Sequence, residues 1–202
     1  LNFEYSFESP LEDIVPSLPN PWRIAGAAIG SGRLTRARGE SAAYSGDVQA
    51  TDVHVQGPGG TISNNRLGAH FEGDFDALSV SNLVLELPQA GRINGQANVA
   101  DLRGEPVLTA DGTLTGVRVS QLLRTITPRF DWETEVTGSF EVTASESRGA
   151  VLSAVAAFSD PGDAVRPGMA GSTDFTFSSV GQVLQLRSLE WSGEGIDLTA
   201  AG

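Results

Sequence analysis

Val183-Leu184-Gln185-Leu186-Arg187-Ser188-Leu189-Glu190-Trp191-Ser192-Gly193-Glu194-Gly195-Ile196-Asp197-Leu198-Thr199-Ala200-Ala201-Gly202 is the stretch that decides the fold. Leu184, Leu186, Leu189 and Trp191 are apolar with polar residues in most gaps. Gly193 and Gly195 break the run, and Ile196, Leu198 and Ala200 resume it. Two period-2 runs around a Gly-containing turn read as a β-hairpin with one buried face. The same figure stands earlier in the chain. Leu78, Val80, Leu83 and Leu85 precede Leu184, Leu186, Leu189 and Trp191 by 106 residues, and Ile93 and Ala97 precede Ile196 and Ala200 by 103. In both copies the apolar parity slips by one, between Val80 and Leu83 and between Leu186 and Leu189. A strand keeps one face apolar through such a slip by a bulge or tight bend, which adds one residue and curls the sheet. Interruptions are therefore expected at Ser81-Asn82 and Arg187-Ser188.

Composition narrows the function. The chain has 202 residues, enough for one large β domain or two small ones, with a formal net charge of −12 and a pI near 4.4. Phosphate binding needs a basic field, so nucleic acid is excluded as a partner, as is broad adhesion to an anionic membrane surface. There is no Cys, and so no disulfide, zinc–thiolate site or thiol nucleophile. No signal peptide or membrane span is visible. Opening at Leu1 and closing in a strand-like run, the sequence is expected to be one β-repeat segment, 1–202, of a longer protein, with any anchor outside it.

Working outward, strand follows strand. Phe3, Tyr5 and Phe7 alternate up to Pro10. Leu11 to Pro21, with Pro16, Pro19 and Pro21, reads as a turn or one helical turn. Trp22, Ile24 and Ala28 suggest a strand closed by Gly30 and Gly32, and 33–46 a weakly patterned one. Val48, Ala50, Val53 and Val55 carry the parity slip again before Gly57-Pro58-Gly59-Gly60 and Ile62, a third and degenerate copy. Asn64-Asn65 suits a turn. Leu108 to Val119 reads as a strand pair broken near Gly112 or Gly116. A short helix is expected over Ser120–Ile126, capped by Ser120 and stopped by Pro128. Val136 to Ala144 and Val151 to Phe158 are strands, 160–172 is the longest loop, and Phe175 and Phe177 lead into the final hairpin.

Candidate chemistry is sparse. His54 and His70 sit opposite apolar neighbours and read as solvent-face residues rather than ligands, so neither a metal site nor a cofactor is expected. Asp74 with Asp76, and Glu133 with Glu135, share strand faces; in so acidic a chain they read as solvated carboxylates rather than an acid–base pair. Gly57-Pro58-Gly59-Gly60 lacks the Lys and strand–helix context of a phosphate loop. No catalytic residue is assigned, and the expectation is a protein that is not an enzyme.

The form Leu78-x-Val80-x-x-Leu83-x-Leu85, a Gly turn, then Ile93-x-Gly95-x-Ala97-x-Val99 resembles the repeating strand unit of the AsmA-like and TamB families. The segment Asp111-Gly112-Thr113-Leu114-Thr115-Gly116-Val117-Arg118-Val119-Ser120-Gln121-Leu122-Leu123 resembles their strand pair running into a short Leu-Leu helix. Gly138-Ser139-Phe140-Glu141-Val142 and 184–202 fit the same style. The resemblance covers roughly residues 40–202 by its repeat spacing, without the family's N-terminal membrane helix. It implies a curled antiparallel sheet, a β-taco open as a trough or flattened as a barrel. It also implies a periplasmic bridge, anchored to the inner membrane through a segment outside this chain, that carries phospholipid acyl chains towards the outer membrane or supports outer-membrane assembly with an assembly protein there. The lining of that groove would be Leu78, Val80, Leu83, Leu85, Leu87, Ile93, Leu184, Leu186, Leu189, Trp191, Ile196 and Leu198, with Glu86 and Glu190 outward.

The alternation alone fits a closed β-sandwich core as well as an open trough. A structural or adhesive secreted β module, sandwich or solenoid, is the competing reading. The recurrence at 106 residues disfavours a solenoid, whose coils repeat at about 20–30.

Overall fold

The computed structural model describes residues 1–14, 23–39, 41–88, 90–120, 134–160, 168–193 and 196–201. They form one antiparallel sheet of twelve strands in sequence order. The strands are β1 (Asn2–Pro10), β2 (Arg23–Thr35), β3 (Ala43–Gly57), β4 (Gly60–Gly73), β5 (Ala77–Leu87) and β6 (Gly91–Ala100), then β7 (Val107–Arg118), β8 (Glu135–Ser145), β9 (Gly149–Asp160), β10 (Met169–Ser178), β11 (Val183–Gly193) and β12 (Ile196–Ala201). One turn of helix, α1 (Leu11–Ile14), follows β1, and a 3-10 turn, Val180–Gln182, joins β10 to β11. The sheet is an open trough: β1 and β12 do not pair, which removes the flattened barrel, and the described residues form no second sheet, which removes the sandwich. The helix expected over Ser120–Ile126 lies, past Ser120, outside the described residues.

The parity slips are bulges. Val80 stands opposite Ala97 and Leu83 opposite Gly95, so three steps of β5 match two of β6. In β11, Leu189 opposes Thr173 and Leu186 opposes Phe175, with the extra residue at Arg187. The degenerate copy does the same, Ala50 opposing Leu67 and Val53 opposing Asn65. A fourth slip, Leu114 to Val117 against Gly138 to Val136, lies in β7. Each inserted residue lets the strand bend while its apolar side chains stay on one side.

Several glycines and asparagines expected to end strands lie inside them. β2 runs through Gly30 and Gly32 to Thr35, β7 through Gly112 to Arg118, and Asn64-Asn65 sits within β4. Asn64 takes φ 62°, the extra residue of a bulge rather than a turn. The loop expected over 160–172 is shorter at its far end, because β10 starts at Met169. Asp74 and Asp76 lie in the β4–β5 turn and not on a strand, and there Asp74 Oδ1 accepts from the backbone N–H groups of Asp76 and Ala77 at 2.7 and 2.9 Å.

A small packed core lies at the β1–β2 end. Leu11 of α1 closes over Ala28, Ala50 and Val53, flanked by Phe7, Ile24, Val55 and Leu67. Burying the Leu11 side chain stabilises this corner by about 1.5–3 kcal/mol. Elsewhere the same face has no such lid among the described residues.

Candidate functional site

Directly opposed residues in an antiparallel sheet project from the same face. One row therefore crosses the molecule through all twelve strands: Ser9, Ala28, Ala50, Leu67, Leu85, Ile93, Leu114, Gly138, Ala156, Thr173, Leu189 and Ala200. Leu85 and Leu189, one from each copy of the repeat though not matching positions in it, thus stand in one row although 104 positions separate them. The other expected lining residues fall on the same side. Leu78, Val80, Leu83 and Leu87 share β5 with Leu85. Leu184, Leu186 and Trp191 share β11 with Leu189, and Leu198 and Ile196 oppose Trp191 and Gly193. They form two groups at β5–β6 and β11–β12, joined by the apolar residues of β7–β10 and not in direct contact. Leu87 differs from the rest, being packed into the β5–β6 turn at 4% exposure.

At the register positions of this face the described strands carry almost no polarity beyond the tyrosine hydroxyls: Ser9, Asn65, Asp160 and Thr173, and no Lys or Arg. Asn65 is buried, and its Nδ2 donates to the Val53 carbonyl at 2.9 Å while its Oδ1 has no partner. An unmet buried acceptor costs about 1–3 kcal/mol. The apolar residues of β2–β9 on this face are half-buried or buried, whereas Phe3 of β1 and Phe177, Leu184, Leu186 and Leu198 of β10–β12 are exposed. Continuous apolar surface of this extent marks a site of interaction on a water-exposed protein.

Rings lie flat along the face, a feature sequence reasoning missed. Phe7 opposes Gly30, Tyr5 opposes Gly32, Phe71 opposes Gly46, Phe140 opposes Gly112 and Phe158 opposes Gly171. A Cβ built on Gly46 would lie 2.9 Å from Phe71 Cζ, on Gly112 2.9 Å from Phe140 Cζ, and on Gly171 2.6 Å from Phe158 Cζ. Each ring therefore occupies the space its glycine partner vacates, a cross-strand device that also covers exposed glycine backbone. The face stays low instead of being filled by upright aromatics. The signal in the sequence is glycine at strand-interior positions, legible only once register is known.

The opposite face is polar and holds the charge. Glu86 lies between Arg66 and Arg92, and Glu190 opposes Ser172 and Thr199. His70 Nδ1 meets Asp47 Oδ1 at 2.9 Å, and His54 opposes Ala25 on the same side. Arg33–Glu4 at 2.9 Å and Arg118–Glu135 at 3.1 Å are exposed cross-strand pairs, each worth no more than about 1 kcal/mol. The recesses on the molecule are shallow. One of about 530 Å³, at the end of β2–β6, gathers Glu72, Asp74 and Asn98 with Tyr44, Ser45 and Ser79. Among the described residues no three His, Asp or Glu are grouped to hold a metal ion. No helix of the described residues is long and apolar enough to cross a membrane.

Comparison with protein-family models, with curated proteins and with solved structures gives no match.

Proposed function

We propose that this chain is a segment of an AsmA- or TamB-like envelope bridge, and that its apolar face is a concave groove for phospholipid acyl chains. The observation that carries the reading is the row from β2 to β12, apolar or glycine at every strand but β10, where Thr173 stands, without a second layer over it among the described residues. Twelve strands spaced by roughly 4.8 Å make a track of about 50 Å. An acyl chain laid along it gains about 0.8 kcal/mol for each CH₂ withdrawn from water. Among the described residues the face has no cation to hold a phosphate, so in this reading the headgroup stays at the open side in water. The protein acts by shielding and not by chemistry. Its place is the periplasm, held at the inner membrane by a segment outside this chain, with delivery to the outer membrane or support of its assembly machinery.

The test uses Leu85 and Leu189, which share one row and lie six strands apart. Photo-crosslinking from either position in cells should yield lipid adducts. Asp at either should block lipid passage while the protein stays folded, because a carboxylate in an apolar channel is costly to desolvate. Crosslinks to the chain alone, or unfolding of both Asp variants, would return the sheet to the structural-module reading.

A further inference from the structure

One corner of the apolar face is already filled, and by the chain itself. Ala28 of β2 and Ala50 of β3 stand in the row that continues through Leu67 and Leu85, yet they are 0% and 2% exposed while Leu67 and Leu85 are half-buried. Among the described residues the cover is the Leu11 side chain, itself 8% exposed. We propose that this corner is an acyl-binding section of the groove, and that Leu11 is a plug which an entering acyl chain displaces. The inference rests on the groove reading and adds a gate to it.

The floor of the corner is shaped to hold an aliphatic group. Where β4 to β7 place Leu67, Leu85, Ile93 and Leu114 in the row, β2 and β3 place alanine. Beside them β2 bulges at Gly26, between Ala25 and Ala27. Gly26 has φ 147°, and a Cβ there would lie 3.1 Å from Leu11 Cδ1 and 3.0 Å from the Thr51 carbonyl oxygen. Small residues on two adjacent strands thus leave a depression that the Leu11 isobutyl group fills. An acyl segment of similar length offers the same dispersion contacts.

Little else holds the plug. α1 is four residues long, Glu12 and Asp13 are exposed, and so short a helix has no stability of its own. The closed corner also leaves a polar group unmet. Asn65, opposite Val53, is 2% exposed, and its Oδ1 has no hydrogen-bond partner among the described residues. Opening the corner admits a donor, water or a lipid hydroxyl, that the closed one does not offer. Burial of Leu11 keeps the site shut, and burial of an acyl segment in its place is a term of the same kind and size. The empty groove therefore closes this section on itself, and a chain lying along the row opens it.

The chain has no Cys, so single thiols report on each place. Leu85→Cys reports on the groove and Leu11→Cys on the plug, each labelled with a maleimide before and after loading from vesicles of dioleoyl phosphatidylcholine. Loading should slow labelling at position 85 and quicken it severalfold at position 11. Slower labelling at 85 without quickening at 11 leaves the groove standing and overturns the plug. No change at either overturns the groove reading, and the plug with it. Leu11→Ala should tighten lipid binding by about tenfold to a hundredfold, since no buried leucine has then to be displaced, and Leu11→Met should stay near the parent. An alanine variant that is folded and binds no tighter overturns the proposal. Hydrogen exchange needs no substitution. In the parent chain the α1 amides should exchange faster once lipid is bound, and unchanged exchange there alongside protection gained in β5 would overturn the plug, whether or not the variants fold.

Discussion

Four bulges turn on single residues with left-handed backbone: Asp52 at φ 51°, Asn64 at 62°, Asn82 at 51° and Gly116 at 56°. Asp and Asn tolerate this conformation through their short polar side chains, while a β-branched residue there costs about 1–2 kcal/mol. Asn82→Val should therefore lower the stability measured by urea unfolding by that amount, with Asn82→Gly close to the parent. Glycines under rings are limited by space instead. A Cβ on Gly30 collides with the Phe7 ring, so Gly30→Ala should cost about 1–3 kcal/mol. Phe7→Leu in the same chain should recover part of it, a coupling that a double-mutant cycle measures. Asp74 illustrates charge. The backbone N–H of Asp76, then that of Ala77, hold its carboxyl below the usual carboxylate range, with Arg103 adding to the effect. A group whose folded pKa is depressed stabilises the fold above its unfolded pKa and loses that contribution as pH falls through the folded one. Asp74→Asn keeps an acceptor but not the charge. The stability gap between parent and variant should be widest near neutral pH and close as the solution is acidified through the carboxylate range.

Strand pairing carries its own conflict. Asp111 and Glu141 stand directly opposite on the polar face of β7 and β8. Gln96 Nε2 donates to both oxygens of Asp111 at 3.0 and 3.3 Å, and no Lys or Arg shares the row. Glu141→Lys should stabilise the sheet by about 0.2–1 kcal/mol, and the gain should shrink with added salt in denaturant titrations. At this scale the sequence was informative where apolar residues alternate or slip. The slips at Ser81-Asn82 and Arg187-Ser188 were legible because faces must be conserved through a bulge. Gly30, Gly32 and Gly112 read as strand ends in the sequence, because the rings of Phe7, Tyr5 and Phe140 that fill the space beside them stand on neighbouring strands, and register is not written in the sequence. Asn64-Asn65 failed for a related reason: the same left-handed tendency serves a turn or a bulge. Leu11 reads as a turn residue in sequence, and only the packing shows it closing a core over Ala28.

Among the described residues each strand pairs with its sequence neighbours, and the cluster of buried residues packed together lies at the β1–β3 corner. Stability is then close to a sum of neighbour terms, as in repeat proteins. Hydrogen exchange should show protection highest in the middle strands and falling towards β12, with the Leu11 corner holding β1–β3 above that trend; uniform protection would contradict it. The shared face of the apolar residues was legible in the alternation, but the row that joins Leu85 of β5 to Leu189 of β11 was not.

A meander of this kind has no topological reason to stop at twelve strands. Adding or removing one hairpin moves the far end by roughly 10 Å and leaves faces, directions and outer-edge groups unchanged. Adding a single strand reverses every strand beyond it. The recurrences obey this rule, since β5 and β11 lie six strands apart and β3 and β5 two. Span in such a molecule is counted in hairpins, so the sequence sets reach by number, as a ruler does, and leaves the cross-section alone.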